Sequence, residues 1–214
     1  MNKEVIARNV QTTILDAKAF YDHGWLLGTS GNLSTRVDAE TFIITASGKD
    51  KGRLTQQDFL ACGLDGKAID AESRNKPSAE TLIHCVIYRR FEHVGAVYHV
   101  HEPYAALCSA RDKDEEHTAF SGIEMIKGLD IWDPAAIINV PILPNHAHIP
   151  TLATAVKEWL DGDRGRWPVP CVNILRHGFY TWGKTPFEAK RNVETLAYLF
   201  KYSWEWSLMT GSRG

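Results

Sequence analysis

Residues 95–105 read GAVYHVHEPYA. The apolar run GAVYHV reads as a strand, and two histidines one residue apart, His99 and His101, stand at its end. Side chains alternate faces along an extended chain, so these two imidazoles point the same way and can grip one ion between them. A pair alone is more often two ordinary polar positions than a metal site, which needs a third ligand.

The rest of the chain sets the context for that strand. Its 214 residues, 44% hydrophobic and 23% charged, suit one globular domain across 1–214 with a sizeable core. A net charge of only -2, with no basic stripe, argues against nucleic acid or an anionic membrane surface as the main partner and favours small-molecule chemistry. Cys62, Cys85, Cys108 and Cys171 lie far apart in apolar stretches without a CxxC pair, which predicts reduced, packed thiols. The opening residues lack the apolar core of a signal peptide, and no window reaches the roughly 18 apolar residues of a membrane span, so a cytoplasmic protein is expected.

Periodicity divides the chain into alternating helices and strands. Val5, Val10, Ile14 and Ala17 fall at helical spacing with Gly24 as a stop. The turn-rich GTSGNLSTRV leads into TFIITASGKDKGRLT, which together read as strand, loop, strand, loop, with the β-branched run Phe42–Thr45 broken at the turn Ala46-Ser47-Gly48 and another short strand at FLACG. KPSAETLIHCVIYRRF predicts a helix begun at Ser78, a favourable N-cap residue. The charge run RDKDEEH at 111–117 reads as a solvated loop. AAIINVPIL predicts a strand, IPTLATAVKEWLDG a helix ended by Gly162, and CVNILRHGFYTWG two strand pieces hinged at His177-Gly178. From Pro186, the residues Ala189, Val193, Leu196, Phe200 and Trp204 recur every three or four positions, marking a long amphipathic helix whose aromatic stripe, with Trp206, suits core or a subunit contact. Strands interleaved with helices predict a layered α/β or α+β domain.

The candidate third ligand is His177, where a strand meets a glycine. Three neutral imidazoles and an open position suit a catalytic divalent metal, most simply zinc with Zn–N bonds of about 2.0 to 2.1 Å. Spacing cannot establish convergence, and NHAHIP offers a second pair, His146 and His148, whose simpler reading is a solvated loop. His84 reads as a helix position facing solvent or core.

Six blocks in order, GTSGNLSTR, TASGKDK, KPSAET, HVHEPYA, RHGFYTWGKT and the closing helix, resemble the class II aldolase/adducin superfamily across nearly the full chain. GIEMIKGL, VPILPN and IPTLA resemble one branch of it, which dehydrates 5-methylthioribulose 1-phosphate in methionine salvage. The resemblance implies a three-layer α/β/α sandwich around a mixed, largely antiparallel sheet. Members are commonly C4 tetramers with sites near subunit contacts, so it also implies a homotetramer acting on a sugar phosphate.

The resemblance further implies one zinc ion per subunit on His99, His101 and His177. It assigns the acid/base to Glu124, the position used in the dehydratase branch, with Glu80 as the rival position used by the aldolases. By their surroundings alone, Glu124 is a surface helix residue and Glu80 a first-turn partner of the helix dipole. Asn32, Ser47, Gly48 and Ser78 match the family's phosphate cradle, where turn N–H groups and hydroxyls leave no need for a lysine. Sugar-phosphate aldolases usually carry two serines before Glu80. Here the second is Ala79, which weighs against the alternatives of a fuculose- or ribulose-phosphate aldolase or epimerase. A non-catalytic adducin-like binding module is a third reading, opposed by the intact histidine set.

Overall fold

The structure, a computed structural model, describes residues 3–133, 135–162 and 169–211; the expectation of one domain across 1–214 reaches beyond them. Among the described residues five α-helices occur: α1 (Lys3–Asp22), α2 (Thr81–Arg90), α3 (Pro103–Arg111), α4 (Ile149–Asp161) and α5 (Pro186–Thr210). Eight strands alternate with them: β1 (Asn32–Arg36), β2 (Thr41–Thr45), β3 (Phe59–Gly63), β4 (Ala96–Val100), β5 (His117–Ser121), β6 (Ile137–Leu143), β7 (Cys171–Ile174) and β8 (Gly178–Gly183). They form one sheet in the order β3-β2-β1-β4-β8-β7-β6-β5. Every neighbouring pair is antiparallel except β6 and β7.

Alternation along each strand splits the core into two layers. On one face Leu33, Tyr98, Val100 and Phe179 pack with Phe20 of α1, Cys108 of α3 and Val193, Leu196 and Phe200 of α5. On the other, Ile44, Val97, Val172 and Tyr180 pack with Ile83 and Ile87 of α2 and Leu152 and Val156 of α4. The result is the expected three-layer α/β/α sandwich around a mixed, largely antiparallel sheet. All four cysteines are free and buried, as their apolar settings predict. No helix among the described residues is long and apolar enough to cross a membrane.

Several local expectations shift. The second helix begins at Thr81 rather than at Ser78, with Glu80 as its N-cap residue in helical geometry. Thr81 N bonds to Ser78 O and Leu82 N to Ala79 O, so Ser78–Glu80 winds as a tight i to i+3 turn that leads into the helix. Ser78 Oγ accepts from Glu80 N at 3.3 Å and thus caps that turn instead. The charge run at 111–117 is not a uniformly solvated loop. Arg111 and Asp112 pair at 2.6 Å with side chains only 12% and 10% exposed, and Asp112 also accepts from Thr118 Oγ1. The strand pieces around RHG are separate antiparallel partners, β7 and β8, joined by a turn with Arg176 at φ 55°. Gly178 lies so close to β4 that a Cβ there would stand 2.2 Å from Val100 O, which explains the glycine after His177.

Candidate active site

The three central strands β1, β4 and β8 bring the chemistry together on the α2 side of the sheet. His99 is the penultimate residue of β4 and fully buried, and His101 lies just beyond the strand on the same face. His177 enters from the β7–β8 turn. The three Nε2 atoms converge: His101 to His99 at 3.1 Å and His177 to His101 at 3.0 Å. Glu80 closes the group from the head of α2, with Oε1 at 3.4 Å from His177 Nε2 and 3.8 Å from His99 Nε2. The ligand atoms of these four residues all lie within 4.8 Å of one another.

The electrostatics suit a cation. Burial holds His99 well below the ordinary imidazole range. Burial and the neighbouring His177 bring His101 down to about 4. His99 Nδ1 faces the Phe179 carbonyl at 3.0 Å and must donate to it, so its Nε2 presents a lone pair to the cluster. Tyr180 fixes the ring by stacking on it, centroids 3.9 Å apart and planes 4° from parallel. Burial pushes the Glu80 carboxyl up, but the hydrogen bond with His177 and the fields of His99, His177 and His101 outweigh it and hold Glu80 at about 2. Lone pairs and a carboxylate facing one another at such distances are a donor set for a divalent metal, with imidazole nitrogen favouring zinc and its neighbours in the first transition series. His177 Nδ1 is buried without a hydrogen-bond partner.

The candidate phosphate residues occupy three linked segments. Asn32, at the start of β1, donates from Nδ2 to Glu80 Oε2 at 2.8 Å. Ser47 and Gly48 form the exposed turn after β2, and Ser47 N bonds to Lys76 O at 3.0 Å, tying that turn to the segment before Ser78. Gly48 has φ 73°, the left-handed geometry such a turn requires, and a Cβ there would meet open space. Glu124 stands elsewhere. It opens a 3-10 turn at Glu124–Leu129, its side chain is 82% exposed, and it pairs with Lys127. Within one chain, then, Glu80 joins the histidines and Glu124 does not. His146 and His148 lie in the loop before α4, where His148 Nδ1 pairs with Thr151 Oγ1 at 3.0 Å, apart from the Glu80–histidine cluster.

Two buried residues stand behind the site, His84, one of whose expected settings was the core, and Lys51, which the sequence did not single out. His84 is fully buried: its Nε2 pairs with Asn32 Oδ1, and its Nδ1 with Ser34 Oγ at 2.7 Å. Because Asn32 must offer its amide N–H to Glu80, its oxygen faces His84, which therefore carries its proton on Nε2 and accepts from Ser34. Burial lowers His84 to about 3, keeping it neutral. The second feature is Lys51, 1% exposed, which donates to Thr29 O at 3.1 Å and Lys49 O at 3.0 Å.

A mixed sheet between helical layers, with three histidines and a glutamate gathered beside its central strands, is an arrangement that could hold a metal ion. The chain belongs to the Class II Aldolase and Adducin N-terminal domain family, which it matches over residues 14–204. Among curated proteins it is 43% identical over 187 residues to methylthioribulose-1-phosphate dehydratase of Geobacillus sp. (strain WCH70), covering 86% of this chain and 84% of that one. It is 42% identical over 183 residues to the protein of the same name from Bacillus subtilis (strain 168), covering 85% of each. Solved structures share the fold. A putative aldolase/epimerase/decarboxylase, YgbL of Klebsiella pneumoniae, superposes with a TM-score of 0.77 at 20% identity, covering 93% of this chain and 89% of that one. The L-fuculose-1-phosphate aldolase of Thermus thermophilus gives 0.73 at 23%, covering 96% and 98%.

Proposed function

We propose that this chain is a zinc-dependent hydro-lyase that converts 5-methylthioribulose 1-phosphate to 2,3-diketo-5-methylthiopentyl 1-phosphate and water, in the methionine salvage of the cytoplasm. The observation that carries the reading is the convergence of His99, His101 and His177 beside Glu80, in a chain 43% identical to a dehydratase of that name. We take it as one domain across 1–214 and as a homotetramer.

In this reading His99, His101 and His177 hold the metal. When bound, the ion supplies Lewis acidity to the substrate's ketone and neighbouring hydroxyl, so that the adjacent C–H becomes acidic and the enediolate is stabilised. A glutamate takes the proton from the carbon next to the ketone, and the hydroxyl on the following carbon leaves with a proton as water. The enol that results tautomerises to the diketone, so atoms balance without an oxidant or reductant. Asn32, Ser47, Gly48 and Ser78 receive the phosphate.

We assign the acid/base role to Glu124, with Glu80 steering the metal site. Glu124 is exposed and outside the histidine cluster of its own chain, so this assignment requires assembly to bring it to a neighbour's site. The position of Glu80 inside the cluster supports a second reading, an aldolase or epimerase with Glu80 as base. The deciding assay incubates the purified protein with methylthioribulose 1-phosphate and with fuculose 1-phosphate, each with and without chelator. Chelator-sensitive dehydration of the first is expected. Cleavage of the second into two carbonyl fragments, with the first untouched, selects the aldolase.

A further inference from the structure

Lys51 is the feature that neither the fold nor the proposed chemistry yet uses. It sits in the 3-10 turn Lys51–Arg53, against which α1 packs, and it is 1% exposed. A lysine in such a place ordinarily finds a carboxylate. This one makes no ion pair among the described residues; instead its ammonium donates to the carbonyls of Thr29 and Lys49. Those carbonyls belong to two different loops, the one that leads through Gly31 to Asn32 and the one that carries Ser47 and Gly48. Thr29 is held at φ 66° and Gly31 at φ 67° in the first loop, and Gly48 at φ 73° in the second. The amine thus fastens together two turns of unusual backbone geometry. Two of its three N–H donors are used, and the carboxylates of Glu80 and Asp50 act on its charge without pairing with it. The field of Lys51 reaches both His101 and Glu80.

We propose that Lys51 is the positive charge of the substrate-anion subsite, set behind the Thr29 and Lys49 carbonyls to balance a phosphate carried by the loops of Asn32 and Ser47–Gly48. The inference rests on the sugar-phosphate reading of the site and deepens it. It also replaces the expectation that a cradle of N–H groups and hydroxyls needs no lysine. Lys51 is a positioning residue: two backbone bonds orient the loops, and the charge acts through them on the anion. Burial lowers its ammonium to about 8, so it remains largely charged near neutrality and ready to be stabilised by an arriving dianion.

The test compares wild type, K51R, K51Q and K51M as full chains, using inorganic phosphate as the probe. The thermal midpoint is followed against phosphate concentration, with metal and after chelation. K51Q keeps an amide donor without the charge and K51M keeps the length without donor or charge, so the two together set hydrogen bonding apart from electrostatics. The expected order is wild type and K51R binding phosphate within a few-fold of each other, and K51Q and K51M at least about ten-fold weaker. Turnover should show KM raised by a similar factor with a smaller change in kcat. Phosphate protection of K51Q equal to wild type overturns the proposal, as does protection of wild type that is absent or vanishes with the metal.

Should the neutral variants fail to fold, sulfate protection of wild type between pH 7 and 9.5 decides, because sulfate keeps its charge throughout. The groups facing Lys51 are Glu80 and His101 across the site, Asp50 and Lys49 on its own loop, and Tyr21 of α1 against Gly52. Protection should fall several-fold over that range in wild type and hold in K51R; a flat wild-type profile overturns the proposal. The phosphate series needs no substrate, so it can succeed where the dehydration assay fails, and the two readings fail separately.

Discussion

Asn32 Nδ2 stands 2.8 Å from Glu80 Oε2 and fixes the carboxylate from β1, a strand distant in sequence from the helix that carries it. The bond is oriented from behind, since His84 Nε2 holds the Asn32 oxygen and Ser34 holds His84. Replacing Asn32 by Asp sets a second carboxylate against Glu80 and removes the donor. Two like charges in one partly buried site raise the proton affinity of the pair. N32D should lower kcat/KM by at least about ten-fold and move the acid limb of its pH profile upward. N32A should lose activity without that movement.

H101A removes one of three convergent lone pairs. Metal content by elemental analysis should fall from near one per chain toward zero, with the circular dichroism of the fold retained. Unchanged metal content would redirect attention to His146 and His148.

The two glutamates separate by both rate and assembly. E124Q should reduce turnover by roughly two to four powers of ten with metal retained. A smaller loss there than in E80Q reverses the assignment. If Glu124 serves a neighbour's site, mixed assemblies of E124Q and H101A subunits should recover activity that neither shows alone, because some sites then receive an intact histidine set and an intact Glu124. Absence of recovery in assemblies proven to be mixed removes the cross-subunit role.

His84 gives the fold a pH dependence of known sign. Its folded value, about 3 through burial, lies below the ordinary 6.5, so below pH 6.5 the unfolded chain binds a proton that the folded chain refuses. The stabilisation is complete above pH 6.5 and is lost progressively toward pH 3, at up to about 1.4 kcal/mol per pH unit for this one residue. Urea unfolding of metal-free protein at several pH values measures that slope. H84Q should show a shallower slope than wild type over pH 6.5 to 4, whatever its stability at pH 7.

The elements that were legible in the sequence have strong patterns of their own. β4 and β8 are buried runs bounded by turns, and α5 shows its period through Ala189, Val193, Leu196 and Phe200. α3 escaped because it is nine residues long and capped by Glu102, an unusual cap whose carboxylate accepts from Ala105 N at 2.6 Å. β5 escaped because only Thr118 and Phe120 of its five residues are buried. The histidines were readable as candidate ligands only through the order of the blocks around them, since one-residue spacing shows a shared face and nothing of what faces it. Lys51 gave no signal, and His84 left solvent and core both open, for a related reason. Each is a residue type that normally meets solvent, and its burial is decided by loops and strands distant in sequence.

The site draws Asn32 from β1, His99 from β4 and His177 from the turn before β8, three strands that lie side by side although their residues are separated by many tens of positions. Each pairing closes a long loop, the kind of contact that comes late when a chain acquires its structure. A cation that needs all three histidines therefore cannot be gripped until the middle of the sheet is complete. Metal uptake during refolding should then report on the last cooperative step, with newly made chains competing poorly for scarce metal until β8 is docked against β4.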